Sequence, residues 1–65
     1  GAAHFHEVQL RVLDAISRRS LTLHHINQLV EADPIEIQHV LNRLVATHRV
    51  SRTTKDAEYE YRRTP

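Results

Sequence analysis

The chain contains no cysteine, no methionine and no tryptophan, and only one glycine and two prolines among its 65 residues. Without cysteine there is no disulfide framework, thiolate zinc site or thiol nucleophile, so packing alone must stabilise the fold. The lack of cysteine fits a reducing compartment, and a cytoplasmic location is expected. The scarcity of glycine and proline excludes collagen-like and low-complexity classes.

Long apolar runs are also missing, because no stretch approaches the roughly 18 residues that suggest a membrane span. The first six residues lack the basic start and apolar segment of a signal peptide. A length of 65 residues leaves room for one small domain and not for a catalytic domain with its own cleft. The net charge of +1 gives no argument for nucleic acid, so any such argument must come from where the charges lie.

Apolar residues recur at helical spacing in three segments. The first helix is predicted at about 4–18, with residues 1–3 expected to be a disordered terminus or tag remnant and 4–65 to form the domain. The second is predicted at about 23–31, with Thr22 as its cap. The predicted buried positions are Phe5, Val8, Val12, Ala15 and Ile16 in the first helix and Leu23, Ile26, Leu29 and Val30 in the second.

The third helix has the clearest start signal, Asp33-Pro34-Ile35-Glu36. Asp is a favoured N-cap, Pro is favoured at the first helical position, and Glu completes a capping box. The helix is predicted to run over about 34–47 and to end at His48 in a left-handed conformation. Its predicted buried stripe is Ile37, Val40, Leu41, Leu44 and Val45.

After His48 the pattern alternates, which predicts two strands within residues 50–62. Lys55-Asp56-Ala57 is predicted to be the hairpin turn, and the lack of an Asn-Gly or Asp-Gly pair predicts a connection of three to five residues. Tyr59 and Tyr61 share one strand face and are expected to pack on the first and third helices. The segment 21–23 is predicted to add a third strand.

This order of elements resembles the winged helix-turn-helix domain, in particular small bacterial and archaeal regulators of the ArsR and MarR type. The residues that carry the resemblance are Leu21-Thr22-Leu23, then Ile26, Leu29 and Val30, then Ile37, Leu41, Leu44 and Val50, and finally 49–62, which is similar to the wing. The resemblance implies an α+β fold, a winged helix-turn-helix with a three-helix core and a small antiparallel β-hairpin wing. The long helices that dimerise such regulators are missing from these residues, which leaves a stand-alone protein, an excised domain or another dimer surface as alternatives.

The resemblance also implies double-stranded DNA as partner and a role in transcriptional regulation, with nucleoid association if the source is bacterial or archaeal. The third helix would enter the major groove and the hairpin would contact phosphates. The predicted base-facing residues are Gln38, His39, Asn42 and Arg43, and the predicted phosphate-contacting residues are Arg49, Arg52, Thr54 and Lys55. Gln and Asn pair with adenine edges and Arg with guanine edges.

The placement of charge supports this hypothesis. No acidic residue lies between Glu36 and Asp56, whereas four Arg or Lys residues lie in that interval. Such clustering favours a phosphate backbone through counterion release. Glu36 and the acidic residues of the hairpin oppose it, and a polar helix face is typical of any surface helix.

Two alternatives therefore stay open. The fold is also used as a protein-interaction or assembly module, which the acidic residues Glu36, Glu58 and Glu60 would favour. RNA binding by the same fold is the other alternative, although the sequence predicts no exposed aromatic platform.

Chemistry at a metal or catalytic site is not predicted. The six histidines include no pair at i, i+4 spacing that would bind one metal ion, and no cofactor is implied. A phosphate-binding glycine loop and a nucleophile elbow are also missing, so an enzyme is not expected. The arginine pairs at 18–19 and 62–63 are interpreted as surface charge and are assigned no site.

Overall fold

The computed structural model describes the backbone of residues 2–65 and the side chains of residues 3–65. The order of elements is three helices and three strands, with the first short strand between the first two helices. Their bounds are α1 Ala2–Ala15, β1 Leu21–Thr22, α2 Leu23–Leu29, α3 Pro34–Ala46, β2 Val50–Lys55 and β3 Glu58–Arg63. The predicted α+β order is therefore confirmed.

The helix bounds differ from the predicted ones at several ends. α1 begins at Ala2 rather than near residue 4, and Gly1 lies outside the described residues. It stops at Ala15 because the Ser17 hydroxyl and amide both donate to the Asp14 carbonyl, which closes the last turn. α2 ends at Leu29, because Val30 takes an extended backbone that turns its side chain into the core. Residues 30–33 then form the link to α3.

The N-caps predicted for α2 and α3 are confirmed, but the capping box predicted for Glu36 is wrong, because the Glu36 carboxylate bonds His4 and not the Asp33 amide. The Thr22 hydroxyl accepts a hydrogen bond from the His25 amide at 3.3 Å and so caps α2. At α3, a carboxylate oxygen of Asp33 accepts from the Ile35 amide at 2.8 Å.

The end of α3 is a Schellman motif. His48 has φ 61°, its amide donates to Val45, and the Arg49 amide donates to Leu44 at 2.9 Å. His48 therefore fills the left-handed position that glycine usually takes, as the sequence predicted. Thr64 stabilises this turn from the other end of the chain, because its hydroxyl donates to the His48 carbonyl at 2.9 Å.

The sheet is antiparallel with the order β1-β3-β2, so β3 is its central strand. Leu21 pairs with Tyr61, which confirms the predicted third strand. In the hairpin, Val50 pairs with Arg63 and Lys55 pairs with Glu58. The six-residue strands give the wing its length, while the helices cover only the base of its inner face.

The hairpin turn corrects the predicted connection of three to five residues. Lys55 and Glu58 are paired, so the loop consists of Asp56 and Ala57 alone. Their φ values are 51° and 64°, and positive φ at both central residues is the signature of a type I′ turn. The sequence signal was misleading because Ala57 occupies a position where Gly is the usual residue.

One core joins all three helices to the sheet. Its buried residues are Val8, Val12, Leu13, Ile16, Leu21, Ile26, Val30, Ile37, Val40, Leu41, Leu44, Val50 and Tyr61. Four residues predicted to be buried are only partly buried against this core, namely Phe5, Ala15, Leu23 and Val45. Three further expectations about burial were wrong. Leu13 is buried although the predicted α1 stripe omitted it, Leu29 is 60% exposed because the chain leaves the helix there, and Tyr59 is 47% exposed because it lies near the wing tip, beyond the helices.

The turn yields a stability prediction. Ala57→Gly should raise the free energy of unfolding by about 1 kcal/mol, because a residue with a Cβ is strained at positive φ and glycine is not. Urea unfolding followed by circular dichroism measures the change.

The matched control is the same substitution at a helical position. Ala46→Gly, in the last turn of α3, should lower the free energy of unfolding by up to about 1 kcal/mol. A decrease of similar size in both variants would contradict the strained turn.

Candidate nucleic-acid interface

The exposed face of α3 lies opposite its buried stripe. His39 and Asn42 are exposed on this face, and Gln38 is half-buried at its border with the sheet. Arg43 lies on the other border, where its guanidinium stands 5.9 Å from the ring centroid of Phe5 in α1. The four residues predicted to face bases therefore spread across the helix surface, with His39 and Asn42 at its centre.

A hydrogen-bond network links this face to the wing. The Arg52 guanidinium in β2 donates to the Asn42 side-chain oxygen at 2.9 Å. The Gln38 amide group donates to the same oxygen at 3.1 Å and to the Tyr61 hydroxyl at 3.2 Å. The structure thus brings three predicted site residues, Gln38, Asn42 and Arg52, into direct contact.

The network determines which atoms remain available to a ligand. An amide oxygen has two lone pairs, and the Asn42 oxygen already accepts from Gln38 and Arg52. A bidentate contact from Asn42 to adenine needs that oxygen, so it would require one of these two donors to move. In Gln38 the side-chain nitrogen is engaged, because it donates to Asn42 and Tyr61. The side-chain oxygen of Gln38 makes no hydrogen bond among the described contacts, so it can accept one from a ligand.

Arg52 is held on a second side by an aromatic ring. Its guanidinium lies 4.7 Å from the ring centroid of Tyr59, which in turn meets Tyr61 edge to face at 6.3 Å. Cation–π contact and the bond to Asn42 together fix a side chain that is otherwise flexible. The sequence prediction missed this role of Tyr59, and the signal for it was the alternation that puts Tyr59 and Arg52 on one face of the hairpin as diagonal neighbours.

The remaining wing residues fall on two sides of the sheet. Thr54 pairs with Tyr59 and shares the inner face with Arg52. Lys55 lies on the outer face, where its ammonium is 3.8 Å from the Glu60 carboxylate. Arg49 is exposed in the turn before β2. Lys55 and Arg49 are therefore separate from the network around Arg52.

Several carboxylates that would oppose an anionic ligand have internal partners. The Glu36 carboxylate bonds His4 Nε2 at 2.8 Å, which ties the start of α3 to α1. The Glu58 carboxylate accepts from the His24 amide at 3.1 Å and so caps the N-terminus of α2 from the wing. Glu60 is the carboxylate beside Lys55. These contacts direct the acidic side chains to neighbouring elements of the fold.

Ile35 is an apolar residue that the sequence prediction did not include in the site. It is 69% exposed at the first turn of α3 and borders a shallow cleft with Phe5 and His39. An apolar side chain in this position of a DNA-contacting helix can meet the methyl group of thymine. The signal for it was its position two residues before Ile37, outside the buried stripe.

Two other features are absent from residues 2–65. In this range no group of three or more His, Asp or Glu side chains is arranged to hold a metal ion. Within the same residues, none of the helices has the length and apolar character needed to cross a membrane.

The fold is similar to that of a solved structure of BpsR from Bordetella bronchiseptica. That structure is described as showing the mechanism by which 6-hydroxynicotinic acid regulates the DNA binding of BpsR. The TM-score is 0.81 and the sequence identity is 20% over 89% of this chain. The present chain has a winged helix-turn-helix fold. It spans 44% of the length of BpsR. No family model and no curated protein matches the present chain.

The contact between α3 and the wing can be measured directly. In a double-mutant cycle of Asn42→Ala and Arg52→Ala, we expect a coupling of about 0.5–1 kcal/mol in the free energy of unfolding, because the two side chains share a hydrogen bond.

The control cycle combines Asn42→Ala with Arg49→Ala, a residue with the same charge outside the network. Its effects should be additive within the error of urea unfolding. Additivity in both cycles would show that the bond contributes nothing to the folded state in solution.

Proposed function

We propose that the chain is a double-stranded DNA-binding domain that acts in transcriptional regulation, as in small regulators of the ArsR and MarR type. α3 enters the major groove and the hairpin 50–62 lies along the backbone as the wing. The proposal is of a binding domain rather than an enzyme. A cytoplasmic location, with nucleoid association in a bacterium or archaeon, belongs to the same proposal.

The observation that carries the proposal is the bond between Asn42 and Arg52. It places a cation of the wing beside the exposed centre of α3, where base edges and phosphates of one groove would both be in reach. The carboxylates of Glu36 and Glu58 support the proposal, because each bonds a group within the fold and is directed toward that partner. The similarity to a regulator whose DNA binding has been described supports it at the level of the fold.

The proposed roles follow from the positions of the side chains. His39 and Asn42 contact base edges at the centre of α3, with Gln38 and Arg43 at its two borders, and Ile35 adds an apolar contact. Arg52 and Thr54 contact phosphates from the inner face of the wing. Arg49 and Lys55 add phosphate contacts at the two ends of the hairpin.

The second candidate function is a protein-interaction or assembly module. It is favoured by the cleft of about 530 Å³ between α1 and α2, which is lined by the exposed Leu29 together with Arg11 and Asp14. Apolar surface rimmed by charged residues is typical of protein contacts. In this alternative the affinity for DNA is negligible.

Titration of labelled duplexes at several salt concentrations tests the proposal. Three Arg or Lys residues, Arg49, Arg52 and Lys55, are proposed to contact phosphates, so log affinity should fall with log salt with a slope of about −3. Arg52→Ala should weaken binding to every duplex and reduce the slope by about 0.9. Asn42→Ala should change the order of preference among duplexes. Lys55→Ala should have a smaller effect than Arg52→Ala, because Glu60 lies beside Lys55.

Arg11→Ala is the matched control, since it removes one positive charge from an ion pair with Glu7 on α1. It should leave the affinity and the slope unchanged. If Arg11→Ala and Arg52→Ala weaken binding equally, net charge and not the interface explains the affinity. If no duplex binds at low salt, the interaction module replaces DNA binding.

A further inference from the structure

The two arginine pairs that the sequence left without a site meet in the folded chain. They line one cleft of about 360 Å³ between the end of α1 and the end of β3. The residues around this base cleft are Ile16, Ser17, Arg18, Arg19, Ser20, Arg62 and Arg63. Its volume lies in the lower part of the range of small-ligand sites, which is roughly 300–1,000 Å³.

Strand pairing explains why the pairs converge. Leu21 lies opposite Tyr61 in the antiparallel ladder between β1 and β3. If the ladder is continued by one residue, Ser20 lies beside Arg62, and a further residue places Arg19 near Arg63. The antiparallel register thus brings residues 19–20 and 62–63 to the same end of the sheet.

The positive charge of the base cleft has no compensation among residues 3–65. The ion pairs in that range are His4–Glu36, Arg11–Glu7 and Lys55–Glu60, and the cleft lining contains no carboxylate. The lining therefore gathers like charges without a carboxylate, and like charges around one cleft repel one another. A bound anion would remove this repulsion.

We propose that the base cleft binds a phosphate-type oxyanion of the size of a diphosphate. Guanidinium groups bind phosphate oxygens with two parallel hydrogen bonds, and a lining with more than one arginine suits a ligand with more than one phosphoryl group. The half-buried Ser20 lies in the same lining and can add a hydroxyl donor.

The ligand is a free phosphate compound and not the duplex proposed for α3. The base cleft is at the end of the hairpin where Arg62 lies, whereas the turn is at the other end. At about 3.4 Å per residue, Arg62 and Glu58 are roughly 14 Å apart along β3. The base cleft is therefore separated from Lys55 and the turn, whereas Arg49, which precedes the Val50–Arg63 pair, is the proposed phosphate contact at the same end of the hairpin.

Titration with inorganic pyrophosphate at constant ionic strength, followed by amide NMR shifts, tests the proposal without DNA. Saturable shifts are expected for residues 16–20 and 62–64. Arg19→Ala combined with Arg62→Ala should weaken binding at least about tenfold, because two charge-assisted contacts are lost.

The control is Arg11→Glu, which lowers the net charge by the same two units away from the base cleft. It should leave the dissociation constant within about twofold. Shifts that rise linearly, or equal weakening in the double variant and in Arg11→Glu, would overturn the proposal in favour of diffuse screening. A last titration adds a saturating duplex: unchanged pyrophosphate binding supports a free ligand, and displacement by DNA overturns it.

Discussion

The buried hydroxyl of Tyr61 is the constraint on which the rest of the structure depends. Tyr61 is fully buried in the central strand, where it pairs with Leu21 on one side and Arg52 on the other. A buried tyrosine hydroxyl needs a hydrogen-bond partner, and Gln38 of α3 supplies it. This requirement sets the distance between α3 and the sheet, and it thereby brings Asn42 within reach of Arg52. The candidate interface is a consequence of how the core is closed.

The wing is fixed to the helices at its two strands by different chemistry. On β2, Arg52 contacts Asn42 and the ring of Tyr59. On β3, Glu58 caps the N-terminus of α2 through the His24 amide. A hairpin that extends beyond the core would otherwise have few contacts to define its angle. These polar contacts give the wing one orientation relative to α3, and a preorganised orientation lowers the entropy that binding must overcome.

Local signals in the sequence predicted the elements well, because caps and periodicity are properties of neighbouring residues. Asp33 and Pro34 determine where α3 begins, and the change to alternation after His48 marks the hairpin. The two-residue turn was missed because Ala57 adopts a positive φ that alanine disfavours. The free energy of the strand pairing offsets this backbone strain. The hydrogen-bond network at Asn42 could not be predicted from the sequence, for a different reason. It joins residues of two elements through side-chain geometry, which periodicity does not encode.

Net charge describes this surface poorly, because position decides how each charge acts. The chain carries nine Arg and Lys residues against eight Asp and Glu residues. Five of those carboxylates have partners within the fold, namely Glu7, Asp33, Glu36, Glu58 and Glu60. Of the nine Arg and Lys residues, only Arg11 and Lys55 take part in the described ion pairs. The other seven arginines thus have no ion-pair partner among the described residues, and a nearly neutral chain presents two basic surfaces, one at α3 and the wing and one at the base cleft.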